Sequence, residues 1–120
     1  MRDEELPIIR DFYEFVVWFV PKIGKFPRDQ RFTLGERMEV ALLEVLEQLL
    51  KAKYAREKRD LLEQVNLQLE IVRFQLRLAK DLGCLPLKSY GQSAERLMAV
   101  GKQVGGWLKS VSERTAARVS

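Results

Sequence analysis

Two glutamate pairs, Glu63 with Glu70 and Glu36 with Glu39, invite a catalytic reading, because carboxylates on facing helices can hold a two-metal centre. Such centres also use Glu-x-x-His motifs, and this 120-residue chain has no His. Imidazole ligation and the commonest general base are therefore excluded, and with them metallohydrolase and Ser-His or Cys-His chemistry. A single cysteine, Cys84, cannot form an internal disulfide framework or a Cys-based zinc site. Beside Gly83 at a helix end it reads as a packing residue. The segment GKQVGGWLKS lacks the GxxxxGK[ST] spacing and follows no strand, so it is not a phosphate loop. Solvated helix faces account for the acids. No catalytic residue, metal or cofactor is expected, and the chain reads as nonenzymatic.

The cations carry more information. Lys plus Arg number 21 against 17 Asp plus Glu, a net charge of +4 that mildly favours polyanionic partners. They are unevenly placed. Lys53, Arg56, Lys58 and Arg59 crowd one stretch against Glu57, and Lys22, Lys25, Arg28 and Arg31 crowd another against Asp29. Arg73, Arg77 and Lys80 follow steps of four and three, so a helix projects all three from one face. A polyphosphate backbone calls for such an array, since each neutralised phosphate releases condensed counterions whatever the base sequence. Glu70, three residues before Arg73, can pair within the same face, and a purely solvated surface accounts for these residues as well. Apart from Tyr54 and Phe32, aromatics do not interleave with the cations, so base-specific stacking is not indicated.

Helices must position these groups. Proline and glycine divide the chain into four segments whose apolar residues recur at three and four, the period of amphipathic helices. The first helix begins near Leu6, with Pro7 in its opening turn and Ile8, Phe12, Phe15, Phe19 and Ile23 on one face, widened by Val16, Trp18 and Val20. Pro21 predicts a kink before a turn at residues 24–27. The second helix runs from Arg28 to Ala55 on a stripe of Leu34, Met38, Ala41 or Leu42, Val45, Leu49 and Ala52. Gly35 within it suggests a close helix crossing or an irregular first turn.

The third helix, Lys58 to Leu82, carries two apolar stripes. Leu62, Val65, Leu69, Val72, Leu76 and Ala79 form one; Leu67, Ile71, Phe74, Leu78 and Leu82 form the other, roughly 150° around the axis at ~100° per residue. A four-helix bundle buries one broad face per helix, so the second stripe predicts burial by another copy of the chain. Gly83 caps this helix and Pro86 opens the next. The fourth helix spans Leu87 to Lys109, with Leu97, Val100 or Met98, Val104, Trp107 and Leu108 as its apolar positions and Gly101, Gly105 and Gly106 allowing close backbone approach.

Short connections between long helices give an all-α, antiparallel, up-down-up-down four-helix bundle over residues 1–111, with 112–120 a short polar tail that frays. Residues 1–5 hold three acids and one Arg, the reverse of a secretory leader, which suggests a cytoplasmic protein. The longest apolar run, Phe15 to Val20, is far short of a membrane span.

The stretches FPRDQRFTLGERM (Phe26 to Met38), AKYAREK (Ala52 to Lys58), LQLEIVRFQLRLAKDLG (Leu67 to Gly83) and VGKQVGGWLKS (Val100 to Ser110) resemble the Avd family. These are the accessory variability determinant proteins of diversity-generating retroelements, within a wider group of bundles that includes proteins of ribosomal RNA intervening sequences. The resemblance runs from the first helix through Lys109. It implies a basic, barrel-shaped homopentamer that associates with a reverse transcriptase and with RNA or DNA in mutagenic retrohoming, without being the polymerase. By motif, Arg73 and Arg77 of VRFQLR are the implied contacts, supported by Lys80; Arg28, Arg31, Lys53, Arg56 and Lys58 are further candidates, and Leu67, Ile71, Phe74 and Leu78 the oligomer interface. The alternative is an oligomeric structural adaptor of the intervening-sequence type.

Overall fold

Phe12, Phe15 and Phe19 stack along one side of a helix, with ring centroids 6.1 Å and 5.5 Å apart, and this aromatic ladder anchors the core. The computed structural model describes residues 5–119. Its helices are α1 (Glu5–Ile23), α2 (Glu36–Tyr54), α3 (Arg59–Asp81) and α4 (Leu87–Val119), and no strand occurs among the described residues. Each packs on the next and α4 closes back onto α1, which gives the expected four-helix bundle, a rod with extents of 54 × 22 × 21 Å.

The apolar stripes read from the sequence are the core. Ile8, Phe12, Phe15, Phe19 and Ile23 of α1 are buried, as are Met38, Leu42, Val45, Leu49 and Ala52 of α2. The first stripe of α3, Leu62 through Ala79, is buried along its whole length, and α4 adds Leu97, Val100, Val104 and Trp107. At position 98 the choice resolves against Met98, which is exposed while Val100 faces inward. Pro21 lies within α1, two residues before its end, so the backbone bond it removes, to the Val17 carbonyl, is one in the last turn of the helix.

Local backbone chemistry sets the ends. α2 is preceded by a short turn, Arg28–Gln30, and a π-helical segment, Arg31–Gly35, in which the Glu36 amide reaches back to the Arg31 carbonyl. Gly35 thus combines both sequence expectations. It ends an irregular turn, and it is pressed so close to α1 that an added Cβ would stand 2.8 Å from Cγ2 of Ile23. Gly83, with φ 76°, ends α3 in a left-handed turn whose Gly83 and Cys84 amides bond the Lys80 and Ala79 carbonyls.

Two expectations need correction. α4 continues as helix through Val119 instead of fraying after Val111. Val111 is buried, Thr115 and Arg114 bond carbonyls one turn back, and Arg118 places positive charge at the helix C-terminus, all of which favour continuation. The α4 glycines do not admit a neighbouring backbone. Gly101 makes room for the guanidinium of Arg73, and Gly105 and Gly106 face open space.

Candidate nucleic-acid interface

The cation row on α3 lies at the seam with α4. Arg73 is half-buried there, its Nη1 3.0 Å from Oε2 of Glu70, the intrahelical pair the spacing allowed. Gly101 on α4 leaves the notch in which the Arg73 head rests, so the guanidinium is positioned by two helices. Arg77, one turn on, is exposed and has no ion-pair partner among the described residues. Lys80 pairs with Asp81 at 3.3 Å and sits 4.8 Å over the ring of Tyr90. Arg77 is therefore the cation of this row most available to an incoming phosphate, with Arg73 and Lys80 held at its sides.

Lys102 and Lys109 are exposed on α4, seven residues and about two turns apart, on the side of that helix roughly opposite its buried stripe of Leu97, Val100, Val104 and Trp107.

The remaining candidates divide between the two ends of the rod. At the α1–α2 corner Arg28 is exposed, while Arg31 is half-buried, with its guanidinium 5.4 Å from the Phe32 ring centre. Its Nε is buried without a hydrogen-bond partner. At the opposite end Lys53 lies 4.9 Å over Tyr54, and Lys58 is committed to backbone. Its ammonium donates to the carbonyls of Ala52, Lys53 and Ala55 at 2.7, 3.0 and 2.9 Å, capping the C-terminus of α2. Arg56 shares a cleft of about 80 Å³ with Glu57, Lys58, Arg114 and Arg118. The last two arginines come from the segment read as a fraying tail. The eight predicted cations thus form a seam row and two end clusters, not one patch.

Apolar surface is segregated from the seam. The second stripe of α3 stands in solvent in a single chain, with Leu67 56%, Phe74 61% and Leu78 47% exposed. A second apolar surface lies between α1 and α2, where Ile9, Tyr13, Leu46 and Leu50 line an open groove of about 520 Å³ rimmed by Arg10. Among the described residues no three His, Cys, Asp or Glu gather as metal ligands, and no helix is long and apolar enough to cross a membrane.

The family model described as bAvd-like matches residues 7–111, from the opening turn of α1 to the last core residue of α4. The chain belongs to the bAvd-like family. The match takes in all four helices, so the likeness seen in the segments around Arg73, Arg77 and Trp107 extends over the whole bundle. No curated protein and no solved structure matches this bAvd-like chain.

Proposed function

We propose that this bAvd-like chain is the nonenzymatic accessory protein of a diversity-generating retroelement, working in the cytoplasm as a homo-oligomer, in the family manner a pentamer. It binds the reverse transcriptase and holds RNA or DNA by phosphate neutralisation in support of mutagenic retrohoming. The observation that carries the reading is the α3–α4 seam, where Arg73, Arg77 and Lys80 form a row on a face distinct from the apolar stripe and Arg77 has no ion-pair partner among the described residues. An assembly that covers the stripe leaves this face in solvent. Each phosphate neutralised there lowers the log–log salt slope by about 0.7 for single strands and about 0.9 for duplex DNA.

Fluorescence anisotropy with labelled RNA and DNA across a salt series tests it. Affinity is expected to fall linearly on logarithmic axes, and Arg73→Glu with Arg77→Glu is expected to weaken binding at least tenfold while the helical circular dichroism is kept. Binding indifferent to salt, or a double variant that binds normally, overturns the assignment.

The exposed apolar surfaces favour a second reading, an oligomeric adaptor of the intervening-sequence type whose partner is protein. Capture of a reverse transcriptase that survives nuclease treatment distinguishes protein contact from tethering through RNA.

A further inference from the structure

We propose that the cleft between the α2–α3 connection and the last turns of α4 binds a phosphate monoester, the group that can end a nucleic-acid strand. The inference rests on the preceding reading for the strand and on the cleft alone for the phosphate. Arg56 comes from the connection and Arg114 and Arg118 from successive turns of α4, and all three line one opening of about 80 Å³. Arg56 and Arg118 are exposed, and Arg114 is half-buried with its Nε 3.4 Å from the Ser110 carbonyl. None of the three has an ion-pair partner among the described residues, and Glu57, which lines the same cleft, pairs with none of them. Guanidiniums gathered in this way repel one another, and a bound anion relieves the repulsion.

The helix ends around the cleft agree with an anion. The carbonyl end of α2, which by itself repels negative charge, is covered by the Lys58 ammonium on the Ala52, Lys53 and Ala55 carbonyls. The amide end of α3 starts beside it, with Lys58 at the N-cap position and no side chain capping it. Size and charge then select a monoester over the interior of a strand. Pockets for drug-sized molecules run to about 300–1,000 Å³, so this opening takes a phosphoryl group and no nucleoside. A monoester carries about −1.5 to −2 charges at pH 7 and three strong acceptor oxygens, which guanidinium forks meet in pairs. A backbone diester carries a single charge and continues on both sides, so it suits the open seam row instead. Arg73 of that row stands about 22 Å along α3 from Lys58, so the two sites can be altered separately.

Fluorescence anisotropy with one RNA sequence carrying a phosphate at one end, at the other, or at neither is the test. At least one phosphate-ended form is expected to bind the wild-type chain about tenfold tighter than the hydroxyl-ended form. Arg56→Gln with Arg118→Gln is expected to bring that ratio to one, Arg77→Glu to weaken every form and keep the ratio, and Glu57→Gln to raise it. Arg56, Glu57 and Arg118 are exposed, so circular dichroism is expected to stay native. Inorganic phosphate at fixed ionic strength distinguishes the free ion from the strand end: it is expected to raise the thermal midpoint of the wild type but not of the double variant, and to cancel the advantage of the phosphate-ended strand. A thermal shift with no advantage for a phosphate end assigns the cleft to the free ion. Neither shift nor advantage, or an advantage kept by the double variant, overturns the proposal. A chain that binds no RNA in any form defeats the nucleic-acid function, and the thermal shift with inorganic phosphate then decides the cleft by itself.

Discussion

The guanidinium of Arg73 occupies the space that a side chain would take at Gly101, so one residue on α4 determines where a cation on α3 can rest. In Gly101→Ala the methyl meets the end of a flexible side chain, which can swing outward, while Ala gains about 1 kcal/mol of helix propensity. Thermal unfolding is expected to show a stability within about 1 kcal/mol of wild type. A large loss would mean that the Arg73 head is fixed more firmly than its partly exposed pair with Glu70 implies.

Gly35→Ala is expected to behave oppositely. Its methyl meets the buried Ile23 side chain and the Gln30 carbonyl, neither of which can swing into solvent. Overpacking of this kind costs about 1–3 kcal/mol, and urea denaturation is expected to show a lower midpoint with an unchanged slope.

Lys58→Met removes the ammonium that bonds three carbonyls at the end of α2. Loss of these bonds at a part-buried site is expected to cost about 1–2 kcal/mol. RNA affinity is expected to fall less than in Arg77→Glu, because the Lys58 charge is turned inward on backbone. Measuring both quantities on both variants checks the division between capping and binding.

Cys84 is buried, and desolvation of its thiolate pushes the thiol above its ordinary range. In the native protein at pH 8 it is expected to react slowly with a thiol reagent, and rapidly in denaturant. The sign for stability follows from the raised value: the contribution of the buried neutral thiol is complete below the unfolded-state pKa and is lost as pH rises through the folded one. Compared with Cys84→Ala, the wild type is therefore expected to lose stability in that alkaline range and to run parallel below it.

The core was legible because each stripe is a local period. Leu62 through Ala79 needed no knowledge of the other helices to be recognised as buried, and the same arithmetic marked Leu67 through Leu82 as surplus apolar surface. What escaped depends on register between helices. Nothing near Gly101 in the chain says that Arg73 lies opposite, and nothing near Lys58 says that its ammonium folds back over Ala52 instead of facing solvent. Arg114 and Arg118 were missed because a polar, Ala-containing segment reads as a tail until Val111 is seen to be buried. The cation row itself was found in sequence, while its place against Gly101 and Tyr90 of α4 required the fold.

α4, at 33 residues, is much longer than the 23 residues of α3. Its final turns run beside the connection between α2 and α3, so that end of the rod draws its charge from two distant parts of the chain, Arg56 and Lys58 from the connection and Arg114 and Arg118 from the helix. A macromolecule approaching along the long axis meets different chemistry from the two directions: the Gly83 turn on one side, and on the other a cleft whose cations outnumber its one acid, Glu57.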